Sequence, residues 1–522
     1  MRIERTKNAT RNIVFGLFLK AYQIILPFIV RSVMIRFMGV EYLGLNGLFV
    51  SILQVLNLTE LGVGMAMVYS MYKPIAEDDE KCICSLMNLY RLYYRIIGII
   101  IAVGGMSLFP FVPRLVKSDL PADTNIYVLY IINLAATVLT YWLFAYRNCL
   151  LVAHQRVDVQ SKISLIVNTL LYIVQVIIIV LTKNYYLFSI SIVLFQIINN
   201  ITTALITKRM YPHYAPQGKL PREKVNEINH RIKDLFTAKL GSVIVNSADT
   251  IVISAFLGLT ALAVYQNYYF ILTSVIGVVA IIFVSCTAGI GNSLIVESKS
   301  KNYNDLKVLT FLVSWIAIFG SSCFLCLFQP FIVIWIGEDY LLPMTVVICL
   351  SLYFYFYEIN SLLNVYKDAA GIWHEDRFRP LITALANLLL NLISVNYWGI
   401  YGVVLSTVIS TVFVGMPWLL HNLFSLLFDK THLRSYIKQL FVYFAAAVII
   451  SMCTYLVCSL ICSVPWFTLI MRVILCFFIP NIMFICIFRK KDELVELASL
   501  VERVTNGNVR VTKVVQRIRG DA

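Results

Sequence analysis

The sequence predicts an all-α polytopic membrane protein with about fourteen transmembrane helices. They form two six-helix lobes related by a parallel internal repeat, with a helix pair appended at the C-terminal end. Three observations carry this prediction: composition, a train of long apolar windows, and the side on which basic residues collect. Of 522 residues, 60% are hydrophobic and 14% are charged, and the mean hydropathy is +0.80. A soluble globular chain is about 45–50% apolar and about 25% charged, so that class is excluded.

A run of about 20 apolar residues crosses the hydrocarbon core as a helix. Fourteen such windows follow one another, at 12–38, 45–71, 86–110, 125–146, 163–182, 186–207, 236–257, 262–293, 308–328, 343–365, 380–396, 400–425, 437–461 and 466–488. Turn-forming residues such as Pro121, Pro212 to Pro221, Gly337 and Pro465 punctuate the gaps. The first window is no cleavable signal peptide, because it is long, contains Arg31 and Arg36, and lacks a small-residue cleavage site.

The charge balance sets the orientation. Lys and Arg number 43 against 28 Asp and Glu, a net +15 that in a soluble module would raise nucleic acid as a partner. Here apolar runs separate the basic residues, so no nucleic-acid partner is expected. With the N-terminus inside, the cytoplasmic connections and both termini hold the great majority of the basic residues, and the opposite side holds only Arg114, Lys117 and Lys183. That asymmetry places both termini in the cytoplasm and favours an even helix count. The outer connections are short, which leaves no room for a folded outer domain.

The repeat has a shift of 219 residues. Phe37-Met38-Gly39-Val40-Glu41-Tyr42-Leu43 matches Phe256-Leu257-Gly258-Leu259-Thr260-Ala261-Leu262, and Lys20 falls on Lys239. Leu108-Phe109-Pro110-Phe111 matches Leu327-Phe328 and Pro330-Phe331, with Gln329 inserted; beyond it Arg147 falls on Lys367 and His154 on His374. Six helices separate equivalent positions, so both copies enter the membrane from the same side. The expected domains are an N-terminal lobe at 1–207, a cytoplasmic amphipathic linker at 208–235 and a C-terminal lobe at 236–430. The last two helices at 431–488 and a basic cytoplasmic tail at 489–522 follow. In the linker Val225, Ile228, Ile232 and Leu235 recur at helical spacing.

Ionisable residues inside a membrane usually face a cavity or a partner. Lys20, Gln23, Pro27 and Arg31 share one face of the first helix, and Lys239, Ser242, Asn246 and Asp249 share one face of the seventh. Asn57 and Glu60 make an i, i+3 pair in the second, and Glu358 and Asn364 lie on the inner half of the tenth. These polar stripes predict a cavity in which Lys20, Gln23, Arg31, Asn57, Lys239, Ser242 and Asn246 bind substrate, with Glu60, Asp249 and Glu358 as coupling or ion-pairing acids. Arg147, His154, Lys367 and His374, in cytoplasmic loops, are weaker candidates for a gate; for the two histidines a capping or gate-contact role outweighs ligand binding or proton sensing. Glu77-Asp78-Asp79-Glu80 reads as a solvated turn and helix start. The cysteines read as small packing residues, Cys323 and Cys326 included, and no catalytic residue or metal site is expected.

The chain resembles a bacterial polysaccharide (lipid-linked oligosaccharide) flippase of the multidrug/oligosaccharidyl-lipid/polysaccharide exporter superfamily. The resemblance rests on Arg36-Phe37-Met38-Gly39-Val40-Glu41-Tyr42-Leu43-Gly44-Leu45, on Leu58-Thr59-Glu60-Leu61-Gly62-Val63-Gly64, and on the fourteen-helix, six-plus-six topology. It implies a non-enzymatic transporter of the bacterial cytoplasmic (inner) membrane. Such a protein turns an undecaprenyl-pyrophosphate-linked oligosaccharide, a repeat unit of O-antigen, capsule or exopolysaccharide, to the outer leaflet by alternating access. The implied partners are the lipid-linked oligosaccharide, the bilayer, and a polysaccharide polymerase with other assembly proteins. The implied functional form is a monomer without cofactor, with H+ or Na+ as a coupling ion. The alternatives are a cation-coupled multidrug or other lipid-linked precursor exporter of the same superfamily, and a membrane polysaccharide polymerase or glycosyltransferase. The basic stripe and the extra helix pair argue against the multidrug exporter. The missing large outer loop and the missing acidic metal-binding loop argue against the enzymes.

Overall fold

Seventeen α-helices follow one another in the computed structural model, and the described residues contain no strand. The structure describes the backbone of residues 5–504 except positions 61, 118–119, 122–123, 155 and 462–463. The side chains of 5–19, of 499–504 and of scattered positions including 239, 242 and 246 also fall outside the description.

The first half comprises α1 (Arg5–Phe37), α2 (Val40–Leu56), α3 (Val63–Ala76), α4 (Glu80–Leu108), α5 (Ile126–Trp142), α6 (Asn148–Ala153), α7 (Val157–Thr182) and α8 (Tyr185–Met210). Then follow α9 (Arg222–Leu257), α10 (Leu259–Val296), α11 (Lys299–Trp335), α12 (Met344–Ala369), α13 (Arg379–Ser410) and α14 (Met416–Leu426), and last α15 (Leu433–Ser459), α16 (Pro465–Phe488) and α17 (Asp492–Val504). The fourteen windows fall mainly on helical segments. Nine helices among the described residues are long and apolar enough to span a membrane, and a bent pair, α5 with 145–153, makes a tenth.

Two windows are not the single helices expected. The second is α2 and α3, interrupted by a 3-10 turn at Asn57–Glu60 and by Gly62 at φ 88. The fourth bends by 45° after Trp142, where Phe144 sits at φ 59. Elsewhere α13 runs through the eleventh and twelfth windows with a break at Gly399, φ 56, where the sequence had placed the connection. The amphipathic segment from Val225 is continuous with the seventh span, since α9 begins at Arg222.

The repeated Gly of the 219-residue motif has a conformational reason. Gly39 separates α1 from α2 at φ 116, and Gly258 separates α9 from α10 at φ 93. Only glycine adopts such a backbone without strain, so both copies turn between helices in the same way. A Cβ on Gly44 would fall on the Leu259 backbone, so the small residue lets the two segments approach. Beside it Thr260 Oγ1 lies 3.5 Å from Glu41 Oε1. Those two positions are equivalent in the repeat, and their contact is what a two-fold axis passing between them would give.

The helices group into two compact units, each discontinuous in the chain. One holds 21–266 and 380–403, and the other 1–20, 267–379 and 404–522. In the first, α4 packs on α5, α7 on α8 and α2 on α9 around Leu45, Leu48, Phe49, Met87 and Tyr130. In the second, α11 packs against α12, α15 and α16 around an aromatic core of Phe311, Phe424, Tyr436, Tyr443, Phe484 and Phe488. Leu494 of α17 joins that core, and Glu496 accepts from Asn304 (2.6 Å) and pairs with Lys301 (3.4 Å). On the outside, Ile166, Leu170, Ile173, Ile177 and Leu181 of α7 form an exposed apolar stripe at helical spacing, the signature of a lipid-facing surface. Lipid is as apolar as these side chains, so helix association rests on packing and polar contacts instead.

Candidate functional site

The interruption of the second span organises the first unit. Breaking the helix at Asn57–Glu60 turns these residues out of a continuous α-helical face, so the expected i, i+3 pair is replaced by a 3-10 turn. Broken spans carry polar groups at membrane depth because protein, not lipid, surrounds them. Glu60 Oε1 accepts from the Tyr94 hydroxyl at 2.7 Å and Oε2 from the Tyr141 hydroxyl at 2.8 Å. Tyr90 donates to Tyr94 at 2.6 Å, and Tyr141 also lies 3.1 Å from Asn57 Oδ1. Tyr141 has a single hydroxyl hydrogen, so Asn57 and Glu60 compete for it. The tyrosines come from α4 and α5, and Tyr94 meets Tyr141 edge to face at 5.4 Å. Sequence reading missed them. Their signal was Tyr90 and Tyr94 one turn apart in an apolar helix.

Arg31, half-buried on α1, directs Nη2 to the Gln266 carbonyl at 3.4 Å. Gln23, two turns earlier, is exposed. Pro27, between them, leaves the Gln23 carbonyl without its helical donor. Asp249, on α9, accepts from Asn391 Nδ2 at 2.7 Å, and Asn391 in turn reaches Asn387 Oδ1 at 3.3 Å. Both asparagines are fully buried, and Asn391 Oδ1 has no donor among the described residues. A carboxylate and amide oxygens in a dry pocket are hard donors suited to a proton, Na+ or water. The side chains of Lys239, Ser242 and Asn246 lie outside the described residues.

In the second unit Lys20 is half-buried against Gly277, where a Cβ would collide with its Nζ and Cε. Glu358 is fully buried on α12, and neither oxygen has a hydrogen-bond partner among the described residues. The gate candidates divide. Lys367 Nζ sits 2.9 Å from Asp368 and 3.7 Å from Asp376. His374 is exposed, with Nδ1 3.2 Å from Arg377. Sequence reading missed the group beside it: buried Arg379 clasps Asp376 through two bonds of 2.7 Å and reaches Asn364 at 2.8 Å, and Asn422 adds a donor to Asp376 at 3.1 Å. The pair is separated by three residues at the start of a helix, and that spacing was its signal.

His154 and Arg147 belong to the first unit. His154 caps α6 by contacting the Leu150 carbonyl at 2.9 Å and packs on the Tyr211 ring at 4.3 Å. Arg147 lies over the Tyr146 ring at 5.9 Å.

The fold has known counterparts. The chain is similar to the lipid II flippase MurJ in an inward closed conformation, with TM-score 0.64 and 18% identity over 91% of this chain and 99% of that one. It is similar to an inward-facing multidrug resistance MATE family transporter of the MOP superfamily, with TM-score 0.59 and 14% identity over 82% and 99%. A MOP superfamily transporter from Pyrococcus furiosus matches with TM-score 0.51 and 13% identity over 81% and 94%. No curated protein sequence matches. At such identities the likeness shows the fold, that of a multi-pass membrane protein. A model of the polysaccharide biosynthesis proteins matches residues 9–288, more than half of the sequence and all of the elements around Glu60 and Arg31. The chain belongs to the polysaccharide biosynthesis protein family.

Proposed function

We propose that this protein flips an undecaprenyl-pyrophosphate-linked oligosaccharide from the inner to the outer leaflet of the bacterial cytoplasmic membrane by alternating access. The observation that carries this reading is Arg31, a guanidinium held well inside the first span, with Nη2 directed to the Gln266 carbonyl at 3.4 Å. A cation at that depth is costly unless it serves a charge, and a pyrophosphate supplies one. Lys20 and Lys239 would add charge, and Gln23, Asn57, Ser242 and Asn246 would bond sugar hydroxyls, while the prenyl tail stays in lipid. Lobes at 1–207 and 236–430 would move against each other, with both termini in the cytoplasm and the chain acting as a monomer. A polymerase would take up the product.

Coupling would run through Asp249. Its asparagine neighbours, with Asn391 Oδ1 unoccupied by any described donor, suit H+ or Na+. Glu60 and Glu358 would respond to the conformational cycle.

The test is surface glycan export in a host deprived of its own flippase. Arg31→Ala abolishes export while the protein remains inserted at normal level, and Arg31→Lys retains part of it. Normal export by Arg31→Ala overturns the reading.

A further inference from the structure

The cysteines read as packing residues in the sequence, yet three helices of one unit bring three of them together. Cys326 of α11, Cys458 of α15 and Cys476 of α16 are all buried, and their sulfurs lie within 4.8 Å of one another. Cys458 Sγ and Cys476 Sγ are 3.9 Å apart. A zinc–thiolate bond of about 2.3 Å places the sulfurs of a tetrahedral or trigonal site roughly 3.8–4.0 Å apart; the Cys458–Cys476 pair meets that spacing, and the outer limit of 4.8 Å for the group exceeds it by less than about 1 Å. Cys323, one turn before Cys326, packs against the same cluster.

Arg472 is a second and independent pointer. It donates to the Cys326 carbonyl and to the Ile461 carbonyl, each at 3.4 Å, and its Nε is buried without a partner. Three thiolates on a divalent ion leave one net negative charge, and in an apolar surround such a charge needs a cation beside it. Arg472 occupies that place. The sequence alone suggested that it snorkels to the membrane surface.

We propose that Cys326, Cys458 and Cys476 form a binding site for a soft, thiophilic metal ion, Zn2+ or Cu+, that pins the C-terminal helix pair to α11. Binding replaces three S–H bonds by three metal–sulfur bonds and releases three protons to water, with no change of oxidation state. Soft sulfur donors without carboxylate or imidazole select these ions over Mg2+ or Ca2+.

The experiment uses the full chain, purified in detergent with a non-thiol reductant, stripped with chelator and titrated with Co2+. The expected result is a thiolate-to-cobalt charge-transfer band that saturates at one ion per chain and is displaced by Zn2+. Zn2+ also raises the unfolding temperature of the wild type. Each of Cys326→Ser, Cys458→Ser and Cys476→Ser weakens binding on the order of a hundredfold or more, because the bonds share the binding energy of the site. Cys82→Ser with Cys84→Ser leaves the band unchanged. Should a serine variant fail to purify, the corresponding alanine variant is titrated instead. No band in the wild type, a band that survives the triple serine variant, or a Cys458–Cys476 disulfide in protein taken directly from membranes would each overturn the proposal.

Discussion

Asp376 and Glu358 stand in the same compact unit and are buried in opposite ways. Asp376 is surrounded: Arg379 binds both its oxygens, Asn422 donates to one, and Lys367 lies 3.7 Å away. Glu358, fully buried at mid-helix, has no described donor on either oxygen. The contrast separates two reasons for keeping an acid inside a protein. Buried polar groups that serve stability come with partners. A carboxyl that comes without them contributes nothing to the resting fold that a neutral side chain would not, so its use must lie in another state or with another ligand. Glu60 stands between the two, half-buried and held by neutral tyrosine hydroxyls.

Removing an acid from each site tests this ranking. The largest effect is expected at Asp376. Asp376→Ala leaves Arg379 buried and uncompensated and costs about 3–5 kcal/mol, measured as the unfolding midpoint in detergent. Replacing both partners together, Asp376→Leu with Arg379→Met, recovers most of that loss. At Glu60 the cost is smaller. Glu60→Ala strands two tyrosine hydroxyls and costs about 1–3 kcal/mol, while Tyr94→Phe and Tyr141→Phe each cost about 1 kcal/mol. At Glu358 stability hardly moves: Glu358→Gln shifts it by less than about 1 kcal/mol, yet glycan export falls. A large destabilisation by Glu358→Gln would erase the contrast. The smallest effect belongs to a solvent-exposed acid. Asp158, 2.9 Å from Arg156 and 3.6 Å from Lys162, is replaced by Ala with no measurable change in the unfolding midpoint, because water and salt screen the exposed pairs.

The sequence made the membrane architecture legible because burial in lipid leaves a long-range compositional record. The fourteen windows fall mainly on helical segments, and the repeated motif carries a glycine with positive φ in both copies, Gly39 and Gly258. The break of the second span was hidden, since Asn57 and Glu60 are three residues apart and fit an α-helical face as readily as a 3-10 turn. The tyrosines around Glu60 were hidden for another reason. Tyr94 and Tyr141 are 34 and 81 residues away in sequence, and no local periodicity reports a partner at that distance. Asp376 and Arg379 were missed, because three residues of spacing in a charged loop say nothing about depth.

The contact between Glu41 and Thr260 bears on how such a chain arises. Two identical halves associating about a two-fold axis would set position 41 against its own copy, glutamate against glutamate, in a self-complementary interface. Like charges at that distance repel. Joining the halves in one chain removes the obligation of identity: one copy keeps the carboxylate and the other presents a hydroxyl 3.5 Å away. A single chain can therefore carry different residues at positions 41 and 260, which a dimer of identical subunits cannot.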